Sequence, residues 1–297
     1  MTTAFCPAHI TGFFKAELNK EDSKELGSLG AGFSIQKGVK TTVTVRNKTK
    51  HDISNFTIKV NGFESGDMRV SEVVLSKFPT KEKFVDVIHE IDVPVGYGFG
   101  SSAAVALSLA IALNDALECK LSKIKVAQIA HDVEIECKTG LGDVLASYYG
   151  GFEIRDKPGA PGIGHVQKIT LNKISIIMIC FSPISTSKFI KERLPRINGL
   201  GGKMVNKLLE SKNYEHFQEM SLEFAKYVDV MTPRMQKVVN ELSKNNIKCG
   251  IALFGETIFS MIPKENENKI LKILEKYSDG IIIKSELDDT GARVLYN

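Results

Sequence analysis

In this 297-residue sequence the segment Pro94-Val95-Gly96-Tyr97-Gly98-Phe99-Gly100-Ser101-Ser102 carries the clearest chemistry. Gly96, Gly98 and Gly100 alternate, and glycine admits torsions and close approaches that side chains forbid, so successive N–H groups can converge on phosphate oxygens. The apolar run from Ala103 predicts a helix opening at Ser102, whose positive end adds to an anion site. The hydroxyls of Ser101 and Ser102 offer neutral ligands for a phosphate-bound Mg²⁺. Pro94 sets the turn that starts the loop. The cofactors implied are ATP and Mg²⁺.

Other motifs compete for these glycines. A Walker A loop fails at Gly202-Lys203, which is followed by Met204 and has Ile197 where the first Gly belongs. Gly98-Phe99-Gly100-Ser101-Ser102-Ala103 fits the dinucleotide pattern Gly-x-Gly-x-x-Ala, the basis for an alternative reading as a dehydrogenase. That fold needs a parallel strand after the helix, and the pattern after Glu118 reads as a second helix. A plain glycine-rich turn is the remaining alternative, and alternate glycines followed by a serine pair are more specific than that.

Transfer of a phosphoryl group to an alcohol needs a positioned acceptor, a cation at the phosphate and a carboxylate near the hydroxyl proton. Asp143 is the leading carboxylate. It follows Gly140-Leu141-Gly142 and opens a short helix, Asp143–Tyr149, where it can cap the helix, face a cleft, or do both. His131 and Glu134 lie three apart on one helical face, but Asp132 and Glu136 are equally available carboxylates there.

These residues need elements to position them. Runs at Thr41–Arg46, Phe56–Val60, Met68–Leu75 and Phe84–Val93 read as strands. Ser102–Glu118, apolar almost all round, reads as a central helix. Ser122–Lys138 reads as an amphipathic helix with Ser122 as N-cap and Val126, Ala130, Val133 and Cys137 on its buried stripe. The turn-rich segment Pro158–Gly164 marks a division into lobes 1–160 and 161–297. Beyond it, strands at Lys173–Phe181, Ile251–Phe254, Thr257–Ile262 and Gly280–Lys284 alternate with helices at Gly199–Ser211, Tyr214–Met231, Pro233–Asn245 and Glu265–Tyr277, an α+β or α/β pattern.

Composition narrows the classes further. Thirty-nine basic residues against 35 acidic leave a net charge of +4 with no basic tract, which argues against a nucleic-acid partner. The N-terminus lacks a signal-peptide pattern, and the longest apolar run, Ala103–Leu113, is about half a membrane span, so the expected location is cytoplasmic and away from the membrane. The 5 cysteines are scattered and read as reduced core thiols.

Pro94-x-Gly-x-Gly-Phe-Gly-Ser-Ser-Ala-Ala104 resembles the second signature of the GHMP kinases, the superfamily of galacto-, homoserine, mevalonate and phosphomevalonate kinases. The likeness extends through Pro7-Ala8-His9-Ile10-Thr11-Gly12 and through Thr139-Gly140-Leu141-Gly142-Asp143 with Tyr149-Gly150-Gly151. Gly27-Ser28-x-Gly30-Ala31-Gly32 and Gly150-Gly151-Phe152-x-x-Arg155-x-x-Pro158-Gly159 are most similar to the archaeal pantoate kinase branch. Two departures stand out: Leu29 replaces an expected basic residue, and the third, C-terminal glycine motif is reduced to Gly250 and Gly255.

The resemblance implies an N-terminal lobe like ribosomal protein S5 domain 2, a C-terminal ferredoxin-like lobe, and ATP-dependent phosphorylation of (R)-pantoate to 4-phosphopantoate on the archaeal route to coenzyme A. Another alcohol of the homoserine, mevalonate or shikimate type is the alternative acceptor. It implies that Glu134 joins Ser102 around Mg²⁺, that Asp143 is catalytic and that His131 contacts the substrate. A small acid needs a fixed cation, and Arg155 is the choice, with a surface ion pair to Asp156 or Glu153 as its competing role. Ser28 and Thr186 are weaker pocket candidates, since isolated loop hydroxyls are ordinary turn formers. Homodimers are common among such kinases, and no segment here reads as a dimer surface. A non-catalytic sensor on the same fold would ordinarily carry a damaged centre, whereas Ser102, Glu134 and Asp143 are all present.

Overall fold

The computed structural model describes residues 1–63 and 66–296. Its spine is an antiparallel pair, β1 (Thr2–Glu17) and β2 (Gly27–Asn47), in register from Thr2↔Val43 to Glu17↔Gly27. Register shifts fall between Pro7 and Ala8 and between Thr11 and Phe13. Proline cannot donate to a ladder and belongs at such irregularities, and bulges re-aim the side chains beside them. His9, Ile10 and Thr11 lie between the two.

The sheet continues through β4 (Lys83–Ile91) to β3 (Phe56–Gly62), a parallel pair joined across α1 (Arg69–Ser76). β5 (Phe152–Lys157) pairs with the glycine-rich start of β2, and β6 (His165–Ile169) pairs with β5. The chain's last strand, β11 (Arg293–Leu295), returns to pair with β1. Against this sheet lie α2 (Ser101–Ala116) and α3 (Lys123–Cys137), followed by the short α4 (Asp143–Tyr149).

α2 is the central helix that its composition requires, with Ala103, Ala104, Ala106, Leu107, Leu109, Ala110, Ala112 and Leu113 all fully buried. Ser122 caps α3 by accepting from Lys125 N–H at 3.2 Å, and Val126, Ala130 and Val133 form its buried stripe.

The second sheet comprises β7 (Ile174–Pro183), β8 (Gly250–Ala252), β9 (Gly255–Pro263) and β10 (Ile281–Glu286), in the order β10-β7-β9-β8. With helices between β7 and β8 and between β9 and β10, this is a βαββαβ unit of ferredoxin-like order. The helices are α5 (Thr186–Ser211), α6 (Tyr214–Tyr227) and α7 (Pro233–Lys244), then α8 (Glu267–Leu274). β7 is apolar on both faces: Ile176, Met178 and Cys180 join the core shared with the first lobe, and Ile177 and Ile179 join the core under α7 and α8. The lobes meet in an aromatic cluster in which Phe33 lies 5.0 Å from Phe259 and Phe152 lies 5.0 Å from Phe217, ring centre to ring centre.

Three expectations change. Residues 69–76 form a helix, not the strand expected over Met68–Leu75, because Val70, Val73 and Val74 sit at helical spacing and Ser71, Val74 and Leu75 bury one face. α5 begins at Thr186, well before Gly199, and carries Pro195 within it. The first sheet runs past residue 160 through β6 and regains β11, so the expected segments 1–160 and 161–297 are interlaced in sheet membership. Among the described residues all five cysteines are free thiols, and no helix is long and apolar enough to cross a membrane.

Candidate active site

The loop between β4 and α2 is built by its glycines. Gly96, Gly98 and Gly100 have φ of +84°, +86° and +56°, values that L side chains rarely adopt. A Cβ on Gly98 would collide with the Leu253 carbonyl, because the β8–β9 turn packs against the loop; Thr257 also donates its hydroxyl to Tyr97 O at 2.8 Å. The reduced C-terminal glycine motif, Gly250 and Gly255, thus belongs to a buttress behind the phosphate loop. β1 ties both pieces together: His9 N–H donates to Phe99 O at 3.0 Å, and Leu253 N–H donates to Thr11 O at 3.1 Å. Gly100 is the N-cap of α2, and no side chain caps this helix, leaving its first-turn N–H groups for an anion.

Ser102 and Glu134 meet across α2 and α3. Ser102 Oγ donates to Glu134 Oε2 at 3.2 Å, and Thr139 Oγ donates to Oε1 at 2.5 Å. The competing carboxylates are spent elsewhere, Asp132 on Ser23 and Lys24, Glu136 on Lys77. Gly140 is required here, since a Cβ would lie within the Glu134 carboxylate. Glu134 is 2% exposed, and burial, aided by the Asp143 charge and opposed by its hydroxyl donors, pushes its pKa up to about 7.

That shift has a sign. Between pH 4.5 and about 7 the folded protein holds a proton that the unfolded chain releases, so stability falls as pH rises through this window. The loss due to Glu134 is on the order of 3 kcal/mol. In chemical denaturation the wild type should lose about that much more than Glu134→Gln between the ends of the window, and parallel stability curves would show that Glu134 titrates normally.

Asp143 is the first residue of α4, whose N-cap is Gly142, so the expectation that its side chain caps the helix is not met. Its carboxylate turns toward β1 instead. Oδ1 lies 2.8 Å from His9 Nδ1 and accepts from Thr11 Oγ at 3.4 Å. His9 Nε2 lies 2.9 Å from Glu153 Oε1, which also accepts from Arg155 Nη1 at 2.5 Å. Burial raises the Asp143 pKa, but His9, Arg155 and Thr11 outweigh it and hold the carboxyl below its ordinary value.

Asp143 also lines a small cavity of about 20 Å³ with Thr11, Ser28, Gly142, Thr186 and Phe254. A wider cleft adjoins it through Gly140, Leu141 and Ile190, with Lys138, Lys188 and Lys191 on its walls. Arg155 is 1% exposed and excluded from solvent, unlike the surface residue weighed from sequence. Its Nε has no hydrogen-bond partner among the described residues and would lie 3.0 Å from a Cβ on Gly142, beside Ser28. His131 does not line the cavity; it is buried with Nε2 3.1 Å from Ser23 O, anchoring the loop before β2, and burial lowers its pKa despite that bond. The Arg155–Glu153 pair weighed from sequence is present, though buried, whereas sequence reasoning missed His9 and Thr11 as members of the cluster. The available signal was the period-2 spacing of His9 with Thr11 and of Glu153 with Arg155 on strands flanking the glycines of β2.

Ser102 and Glu134 also fit a metal bound mainly through phosphates. Among the described residues no group of three His, Cys, Asp or Glu could hold an ion; a nucleotide-bound Mg²⁺ takes one or two protein ligands, the rest being phosphate oxygens and waters.

Residues 68–151 match the family model of the GHMP kinases N-terminal domain. The pantoate kinase of Methanocaldococcus jannaschii is 33% identical over 277 residues, covering 91% of this chain and 96% of its own length. The chain belongs to the GHMP kinases. It is thus a small-molecule kinase of a family that uses ATP. The pantoate kinase of Thermococcus kodakarensis is 29% identical over 275 residues, 91% of each chain. A solved structure described as a phosphotransferase related to the CoA biosynthesis pathway superposes with a TM-score of 0.88 at 28% identity, covering 98% of this chain and 97% of its own. The two-lobe GHMP fold is therefore present, and the dehydrogenase alternative falls, since α3 follows α2 where a dinucleotide fold needs a strand.

Proposed function

We propose that this protein transfers the γ-phosphoryl group of ATP to the primary hydroxyl of (R)-pantoate, forming 4-phosphopantoate in coenzyme A biosynthesis. The observation that carries the reading is the placing of an ionised Asp143 on the wall of a small cavity, with a buried basic pair behind the wall and the uncapped α2 terminus nearby. The relatives named pantoate kinase match it over nearly their whole lengths.

Residues Pro94–Ser102 cradle the triphosphate with backbone N–H groups and the α2 terminus. Ser102 and Glu134 would hold Mg²⁺, which would supply charge neutralisation at the transferring phosphate. Asp143 accepts the acceptor hydroxyl's proton as the new O–P bond forms and the bond from the γ-phosphorus to the bridging oxygen breaks, releasing ADP. Ser28, Thr186 and Arg155 hold the acid end, and the lysines of the adjoining cleft draw an anion inward. His131 acts on this pocket only by fixing the loop that leads into Ser28.

A coupled assay across pantoate, homoserine, mevalonate, shikimate and galactose tests the reading. Pantoate should give the highest kcat/KM, and preference for a neutral alcohol would overturn the acceptor while leaving the kinase. Ser102→Ala should raise the Mg²⁺ concentration for half-maximal rate several-fold and lower kcat about tenfold or more. An unchanged Mg²⁺ dependence would move the ion to Ser101.

A further inference from the structure

His9 has an acceptor at each ring nitrogen. Nδ1 faces Asp143 Oδ1 at 2.8 Å and Nε2 faces Glu153 Oε1 at 2.9 Å, with His9 and Glu153 fully buried. A neutral imidazole has one N–H, so one of these contacts would then set a nitrogen lone pair against a carboxylate oxygen. Only an added proton satisfies both. Arg155, a donor only, bonds Glu153 Oε1 at 2.5 Å and lies farther from His9 Nε2, at 3.4 Å, so the carboxylate is its nearer acceptor, which favours leaving Glu153 as the anion and placing the proton on the ring.

We propose that Glu153 is a positioning residue that keeps His9 an imidazolium, and that this buried cation in turn fixes Asp143 ionised and aimed at the acceptor. The inference rests on the reading of Asp143 given above. The charged groups facing His9 are Asp143 from α4 and Glu153 and Arg155 from β5; Thr11 of β1 adds a hydroxyl, and β2 offers Gly32. Asp143 and Glu153 against His9 and Arg155 make a balanced set, which is how buried charge persists. Burial alone would strip the proton from His9, but the bonds to Asp143 and Glu153 outweigh it and hold the ring above its ordinary pKa. When the ring does lose its proton, one contact becomes repulsive and Asp143 loses its orientation.

The test has two arms. In ¹⁵N-labelled wild-type protein at pH 7.5, with His9 assigned by its loss in His9→Gln, long-range imidazole spectra should show both nitrogens protonated, and a pyridine-type nitrogen would overturn the proposal. This arm needs no substrate and stands or falls apart from the pantoate assignment. In kinetics on the best acceptor, Glu153→Gln should move the alkaline limb of kcat down by about one pH unit or more, leaving KM for ATP unchanged, while Glu153→Asp restores most of the shift. A uniform loss at every pH would show Glu153 to be merely structural.

Discussion

Replacing Asp143 by Asn should lower kcat by about 100-fold or more while the fold is retained, at some cost in stability because His9 and Arg155 lose one of their two buried counter-charges. Asn retains an oxygen for His9 Nδ1–H at the 2.8 Å contact and for Thr11, so the packing around α4 survives. What disappears is the group able to take the hydroxyl proton. Because His9 and Arg155 hold Asp143 below its ordinary pKa, the wild-type carboxylate is ionised throughout the neutral range, and protonation of Asp143 is not what limits activity on the mildly acidic side. On that side the group expected to titrate is Glu134, whose pKa burial pushes up to about 7 in the metal-free protein. Asp143→Asn should thus lower the whole pH profile and move its acidic limb toward lower pH, because the Asp143 charge is one of the causes that raise the Glu134 pKa. Steady-state kinetics with a thermal melt on the same sample checks both halves, and near-normal turnover would remove Asp143 from the chemistry.

Much of this site can be read from the chain because its constraints are local. The phosphate loop is legible because positive φ at Gly96, Gly98 and Gly100 leaves glycine as the natural residue, and the helix after it because an all-round apolar pattern buries α2. The choice of Glu134 over Asp132 and Glu136 is not settled by spacing: it comes from α2 crossing α3 so that Ser102 meets one carboxylate and Ser23 and Lys77 take the others. The His9 cluster is less legible still, since it joins β1, α4 and β5 over 134 and 144 residues of sequence separation. β-branched residues hid α1, where Val73 and Val74 serve a helix, and Pro195 hid the first turns of α5. His131 shares a helical face with Glu134 and was drawn toward the substrate by that neighbourhood, but a backbone carbonyl from the loop before β2 takes its ring.

Arg155 is proposed to serve both substrate choice and the buried charge balance of the fold. Its Nη1 neutralises buried Glu153 while its Nε, without a hydrogen-bond partner among the described residues, lies behind Gly142 and Ser28, which line the cavity. A planar guanidinium serves both directions at once, and an ammonium serves one. Arg155→Lys should therefore raise KM for pantoate about tenfold or more, roughly 1.4 kcal/mol or above, with KM for ATP nearly fixed. Arg155→Met should do more: besides losing the acid's counter-ion, it strands Glu153 as an unpaired buried charge, a change that costs about 3–5 kcal/mol of stability. Pairing it with Glu153→Gln separates these effects, because removing the stranded charge should return most of the stability while KM for pantoate stays high. Pantoyl lactone, which lacks the free carboxylate, should be a poor substrate for the wild type, and the preference for acid over lactone should shrink in Arg155→Lys. An unchanged KM for pantoate in Arg155→Lys would confine Arg155 to neutralising Glu153, and the acid would then be held from the cleft side, where Lys138, Lys188 and Lys191 provide the remaining positive charge.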